Sequence, residues 1–322
     1  MVLLLGATSY IGQAFARALR RRKDAFIPLS RSTFDYSRFE FLFDYVRKIN
    51  PNLLINSDDN DETPGQELAE TERMEMLQAN TVLPQTIARV CGATNTPWGH
   101  ISSGSIYCGA KIGQNGQFSV EEDLSLDSVR RLFAAHPERF RGFSEQDEPN
   151  FSFKSVCTFY SGTKALAEES LHSSRNYIWR LRLPFNETDD RANFLSQLQN
   201  NSHLHDSINS LSQLDECVSA CLDLWDRRAP FGTYNVVNPG AVRTHDVVQM
   251  IHRILKPRRE FQLLVYESDG DSGQPKPPRS DCILDIAKLE KTGIKLCPVQ
   301  EAIERSLHKW QPHASRVLKT LA

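Results

Sequence analysis

Val2-Leu3-Leu4-Leu5-Gly6-Ala7-Thr8-Ser9-Tyr10-Ile11-Gly12 opens as a short apolar run and passes at once into a turn carrying two glycines. The run has strand length. Gln13 to Lys23 then reads as a helix, with Ile11, Phe15, Ala18 and Leu19 on one face. Arg20, Arg21, Arg22 and Lys23 close it, where cations suit the helix dipole. A turn that joins a buried strand to a helix N-terminus points backbone N–H groups at a pyrophosphate. Gly6 permits the turn, and Gly12 permits close helix–strand packing. Ser9 stands where a third glycine is usual; its hydroxyl is small enough to reach a phosphate oxygen.

Downstream, short apolar strands alternate with helical patterns, which predicts an α/β fold with a parallel sheet covered on both faces. Ala25 to Leu29 reads as strand two, Phe39 to Ile49 as a helix, and Leu53 to Ile55 as strand three. Met74 to Val90 reads as one long helix. His100-Ile101 ends a further strand, with Ser102 and Ser103 at its C-terminal edge, where ligands bind in doubly wound sheets. Asn176 to Leu183 is another strand. Beyond Pro184 the alternation loosens. The expected division is a dinucleotide-binding domain over 1–184 and a mainly substrate-binding lobe over 185–322, with a strand near 232–237 returning to the sheet. Residues 268–278 form a Gly/Pro-rich loop.

A chain of 322 residues holds one large domain, or a domain plus a lobe. Net charge is −2, which argues against a nucleic-acid partner. The clusters Arg20–Lys23 and Lys256–Arg259 read as solvated helix ends. Seven cysteines without a C-x-x-C pattern point to reduced thiols in a cytoplasmic protein. Cys217 and Cys221 share a helix face but lack a nearby histidine, so no metal site is expected. His203 and His205 read as surface histidines. No apolar run reaches membrane-spanning length. With a strand at residue 2, no signal peptide is expected.

Tyr160 and Lys164, in Phe159-Tyr160-Ser161-Gly162-Thr163-Lys164, stand one helical turn apart on one face. A lysine ammonium favours the phenolate of a neighbouring tyrosine, so the pair is a candidate acid/base. The spacing alone leaves open an exposed lysine beside a half-buried tyrosine.

Taken in order, Gly6 to Gly12, Asn56 after strand three, Asn80 in a helix, Ser102-Ser103 and Tyr160 to Lys164 resemble the extended short-chain dehydrogenase/reductase family. Within it the chain looks most like the nucleotide-sugar 4-keto reductases, namely dTDP-4-dehydrorhamnose reductase and the plant-type epimerase/reductase. Glu148-Pro149-Asn150-Phe151, Arg180-Leu181-Arg182-Leu183-Pro184, Tyr234-Asn235-Val236-Val237-Asn238-Pro239-Gly240 and Pro278-Arg279-Ser280 carry that likeness across nearly the whole chain. It implies a doubly wound Rossmann sheet with a smaller C-terminal substrate lobe. Ser103, Tyr160 and Lys164 become the implied catalytic residues, with Tyr160 giving its proton to the alkoxide formed by hydride transfer. Cofactor contacts are implied at Gly6, Thr8, Ser9, Tyr10, Ile11, Gly12, Arg31, Asn56, Ser57, Asn80, Tyr160, Lys164 and Pro184. Substrate contacts are implied at Ser103, Ser105, Asn186 and Arg279. The partner implied is a nucleotide sugar, and dimers through the helices flanking the tyrosine helix are usual among such proteins.

Departures from the family pattern refine the expected chemistry. Sugar dehydratases follow the catalytic Ser/Thr with Asp-Glu; here Gly104-Ser105 follows. Bifunctional epimerase/reductases carry a cysteine where Ser105 stands and a lysine near Gln197. A serine is a far weaker acid than a thiol, so epimerisation at C3 and C5 is expected to be lost, with Cys108 as a nearby thiol. Arg31 in Ser30-Arg31-Ser32 offers a cation for a 2′-phosphate, favouring NADP over NAD. Small residues usually follow strand three, but here Asn56-Ser57-Asp58-Asp59-Asn60-Asp61-Glu62 follows. Such a run would repel a dinucleotide's phosphates unless it points away; the alternatives are that it binds a cationic feature of the substrate or marks a divergent enzyme. Ser103 and Tyr160 are 57 positions apart, about twice the family's usual separation. The excess lies between Gly109 and Phe143 and includes a candidate helix with Leu126, Val129, Leu132 and Phe133. It reads as a lid, an oligomer contact or an exposed excursion. Three functions stay open: an NADP-dependent 4-keto-6-deoxysugar reductase, an NAD-dependent nucleotide-sugar 4-epimerase, and a non-catalytic sensor or assembly subunit.

Overall fold

The central sheet has six strands: β1 (Val2–Leu5), β2 (Phe26–Leu29), β3 (Leu53–Asn56), β4 (Trp98–Ser103), β5 (Asn176–Leu181) and β6 (Gly232–Asn235). Their spatial order is β6-β5-β4-β3-β1-β2, and every neighbouring pair is parallel. The computed structural model describes residues 1–60, 68–114, 116–171, 175–201, 203–257, 262–264 and 279–312. The Gly/Pro-rich loop 268–278, the end of the acidic run at Asp61 and Glu62, and Arg258 and Arg259 lie outside the described residues.

β1, β3 and β5 are buried along their whole length, as strands covered on both faces must be. Helices Tyr10–Arg22 and Leu214–Asp226 cover one face, where Phe15, Leu19, Val218 and Leu222 pack with Trp179. Helices Phe39–Ile49 and Leu83–Thr94 cover the other, where Leu42, Val46, Ile87 and Val90 pack with Trp98. The basic end of the first helix is only partly a solvated face. Arg22 bonds Asp223 and Asp226, and Arg21 bonds Asp215, so the cluster ties its helix to the Leu214–Asp226 helix.

Gly12 shows why the opening turn needs its glycine. A Cβ there would stand 2.0 Å from the Gly6 carbonyl oxygen. Backbone cannot retreat as a flexible side chain can, so Gly12→Ala must push the helix off the strand. The expected result is a loss of about 1–3 kcal/mol in stability and weaker dinucleotide binding, read by thermal unfolding and calorimetry.

The predicted single helix over Met74–Val90 is three segments: Glu70–Leu77, a π-turn over Gln78–Val82, and Leu83–Thr94. The extra residue is held by side chains. Asn80 brackets the Asn60 backbone, accepting from its N–H at 3.0 Å and donating to its carbonyl at 2.9 Å. Thr81 donates to the Thr163 carbonyl. Such π-turns recur at functional sites, and hydrophobic periodicity does not register them.

The excursion between Gly109 and Phe143 is folded. Ala110–Gln114 pairs antiparallel with Gln117–Glu121 and with Phe140–Arg141. Helix Asp127–Ala135 buries Val129 against Ile208, Ala241 and Ile283, with Leu126, Leu132 and Phe133 packed alongside. Its Arg130 is buried and bonds Asp206 at 2.5 Å, a carboxylate that Arg243 also holds. The exposed-excursion reading is therefore corrected for this helix, which is clamped to the C-terminal part of the chain. Bridges from Gly109 to Cys282 and from Phe143 to Leu284 make the same attachment. A further core there joins Phe185, Leu195, Val247, Ile251, Ile303 and Leu307. Among the described residues no helix is long and apolar enough to cross a membrane.

Candidate active site

The polar residues singled out in the sequence gather at the C-terminal edge of the sheet, the ligand edge of open α/β folds. Gly6 leaves β1 at φ +74°, and a Cβ on it would lie 2.5 Å from the Asp58 amide nitrogen. The glycine turn and the loop after β3 are thus pressed together. Ser9 caps the helix: its Oγ accepts from the Gly12 N–H and donates to the Ser57 carbonyl, both at 2.9 Å. Ser57 donates from Oγ to the Leu5 carbonyl. The Thr8 carbonyl accepts from Gln13, and Ile11 packs on the core. In this structure the two serine hydroxyls build the turn.

Tyr10 donates its hydroxyl to Asn186 Oδ1 at 2.9 Å. Burial pushes that hydroxyl's ionisation well up, and Asp190 and Asp215 add to the shift. Asn186 also accepts from the Thr188 N–H and from Asn193, so its amide links the glycine turn to the segment 188–193. Pro184, in the short strand Pro184–Phe185, pairs with Ser212.

Asp58 and Asp59, the described carboxylates of the acidic run, point inward. Asp58 is 6% exposed and takes Arg31 on both oxygens, with Nε at 2.9 Å and Nη2 at 3.1 Å. The Tyr36 hydroxyl donates to the same carboxylate at 2.6 Å. Arg31 keeps a half-exposed side chain, its fork set by this pairing. Asp59 meets the catalytic candidates. Its Oδ1 is 2.9 Å from Lys164 Nζ, and its Oδ2 accepts from the Tyr160 hydroxyl at 3.2 Å. Asp58 and Asp59 each pair with a cation of this protein, an arrangement in which these two carboxylates neither point away nor wait for a cation of the substrate.

Helix Phe159–Leu171 carries both Tyr160 and Lys164. Lys164 is fully buried; it also donates to the Ile101 carbonyl at 3.4 Å and sits 5.6 Å from the Tyr160 ring centre. Asn80 reaches Thr163 on the same helix. Asn56 bonds His100 Nδ1 at 3.1 Å, and its own carbonyl accepts from the Asp58 N–H. Burial first, and the Lys164 ammonium second, hold His100 well below its ordinary range, so its ring is neutral. Ser103 ends β4, and its Oγ accepts from the Ser105 N–H at 3.1 Å. The Ser105 hydroxyl is buried without a hydrogen-bond partner among the described residues.

On the lobe side, Arg279 is half-exposed, with Nε 3.4 Å from Asp281. Asp281 collects Arg182 and His205 as well, and Arg182 is further held by Asn209 and the Ser280 carbonyl. Burial would push Asp281 up, but Arg279 and Arg182 outweigh it and keep the carboxylate ionised. His205 is 9% exposed on its side chain, a correction to its reading as a surface residue. Burial and then Arg279 lower its basicity. Cys108 donates to the Glu122 and Arg279 carbonyls, and burial pushes its thiol up to about 12. The sequence reading missed Arg182 and Asp281. The signal was present: Arg180 and Arg182 share one side of a strand that reads as buried, and buried arginines need carboxylates.

Residues 1–311 match the family described as the RmlD substrate binding domain. The chain belongs to that family. A trifunctional UDP-glucose 4,6-dehydratase/UDP-4-keto-6-deoxy-D-glucose 3,5-epimerase/UDP-4-keto-L-rhamnose-reductase of Arabidopsis thaliana is 25% identical over 304 residues. That alignment takes in 94% of this chain but only 40% of the longer plant protein. The L780 UDP-rhamnose synthase of Acanthamoeba polyphaga mimivirus superposes with a TM-score of 0.74 at 20% identity, covering 96% of this chain and 98% of that one. A dTDP-4-dehydrorhamnose reductase of Bacillus anthracis, solved with NADP, gives 0.70 at 16% identity, covering 96% and 97%. At these identities the two structures establish the shared fold.

Proposed function

We propose that this RmlD-family chain is an NADP-dependent reductase of a nucleotide-linked 4-keto-6-deoxysugar, working in the cytoplasm. The observation that carries the reading is the pairing of Tyr160 and Lys164 on one helix beside a glycine turn that a Cβ would fill. The relatives' names supply the substrate class. Gly6, Gly12 and the helix N-terminus would hold the pyrophosphate, and Arg31 the 2′-phosphate. The bound dinucleotide supplies hydride. Tyr160 would protonate the developing alkoxide, with Lys164 close enough to steady the charge left on the phenol oxygen. Ser103, at the strand edge, would direct its hydroxyl at the same oxygen. Arg279 offers a half-exposed fork for the substrate diphosphate. Cys108, engaged with two carbonyls, is placed as a structural thiol, which supports reduction over epimerisation at C3 and C5.

The test is oxidation of NADPH and NADH by the purified protein with a freshly made dTDP- or UDP-linked 4-keto-6-deoxyglucose. Oxidation that depends on the sugar and runs faster with NADPH is expected. If neither cofactor is consumed although one stays tightly bound, the 4-epimerase reading replaces this one. A protein that binds neither dinucleotide is a non-catalytic member of the family.

A further inference from the structure

Asp59 lies in the acidic run that follows β3, and it touches both members of the acid/base pair. Its carboxylate lies 2.9 Å from a fully buried Lys164 ammonium and accepts from the Tyr160 hydroxyl at 3.2 Å. The carboxylate is itself mostly enclosed, with a side chain 18% exposed. Tyr160 and the hydride donor must both border one carbonyl if they are to reduce it. The nicotinamide ring would therefore lie on the Asp59–Lys164 side of the site.

In the reduction the carbonyl carbon gains hydride and its oxygen gains the Tyr160 proton, which leaves one positive charge on the nicotinamide ring and one negative charge on the Tyr160 oxygen until the phenol takes up a proton from solvent. A lone Lys164 ammonium would oppose that charge. Asp59 cancels the opposition and adds a carboxylate next to the forming cation. Resting on the reductase reading above, we propose that Asp59 stabilises the oxidised dinucleotide in the site relative to the reduced one, and so strengthens the bound reduced cofactor as a hydride donor. A unit charge within about 12 Å, at an effective dielectric of about 20, is worth ten-fold or more in the ratio of the two affinities.

Both consequences of neutralising Asp59 have the same sign. The attraction for the ring cation is lost, and Lys164 is left as an uncompensated positive charge. Calorimetric titration of the purified protein with NADP⁺ and with NADPH reads the effect without turnover. In Asp59→Asn the dissociation constant for NADP⁺ is expected to rise at least about ten-fold more than that for NADPH. Asp59→Glu, which restores the charge, is expected to keep the native ratio. An unchanged ratio in Asp59→Asn, in a protein that still reduces the keto sugar, would overturn the role of Asp59 and leave the reductase reading standing. Failure of the native protein to bind either dinucleotide would overturn both.

Discussion

Tyr160→Phe is expected to lower sugar-dependent NADPH oxidation by about a hundred- to ten-thousand-fold, the range that general acid catalysis supplies. The change removes one oxygen, the atom that donates to Asp59 at 3.2 Å. It leaves the Lys164–Asp59 pair, the glycine turn and the Arg31–Asp58 pair in place. Dinucleotide affinity should therefore stay within about five-fold of native, since one neutral hydrogen bond is worth about 1 kcal/mol or less at a partly exposed site. Steady-state kinetics and calorimetry on the same preparation separate the two quantities. A variant that turns over at the native rate would remove Tyr160 as the acid.

The second large effect is on stability. Glu168 lies one further turn along the face that carries Tyr160 and Lys164, and it is buried with Arg180 of β5. Arg180 donates to it from Nε and from Nη2, the latter at 2.6 Å, and Ser102 donates at 2.5 Å. A further guanidinium N–H reaches the Tyr107 hydroxyl, which in turn donates to the Asp147 carbonyl. The network fixes helix Phe159–Leu171 against β4, β5 and the turn after Ser103. Arg180→Leu leaves a carboxylate buried without its cation and is expected to cost about 3–5 kcal/mol. Changing both partners, Arg180→Leu with Glu168→Leu, should recover much of that loss, because no unpaired charge then remains. Chemical denaturation of the single and double variants measures the difference. Equal stabilities for native protein and Arg180→Leu would show that the pair contributes nothing to the fold.

The parts of this molecule legible in the sequence are those governed by local pattern. Four leucine-rich residues followed by Gly6 and Gly12 give a strand, a tight turn and a helix, and the strands of the sheet follow from runs of similar length. The i, i+4 spacing alone places Tyr160 and Lys164 on one helix face. What sequence reasoning could not supply was the partner of each charge. Asp58 and Asp59 look alike in a list of acidic residues, yet one settles on Arg31, 27 positions upstream, and the other on Lys164, far downstream. The π-turn at Gln78–Val82 escaped for the same reason: Asn80 is held by the Asn60 backbone, which only the folded chain brings near. The excursion helix at Asp127–Ala135 was readable as amphipathic. That its apolar side meets Ile208, Ala241 and Ile283 depends on residues brought together from far along the chain.

The account turns on hydride reaching the C4 carbon at the Tyr160 site, and the label that follows hydride tests it most directly. The protein is to be given NADPH deuterated at the transferable position of the nicotinamide, with the nucleotide-linked 4-keto-6-deoxysugar, and the product read by nuclear magnetic resonance. Reduction at this site predicts one deuterium at C4 of the sugar in native protein and none in Tyr160→Phe over the same time. A sugar altered without deuterium at C4, or equal labelling by the Tyr160→Phe variant, would contradict it.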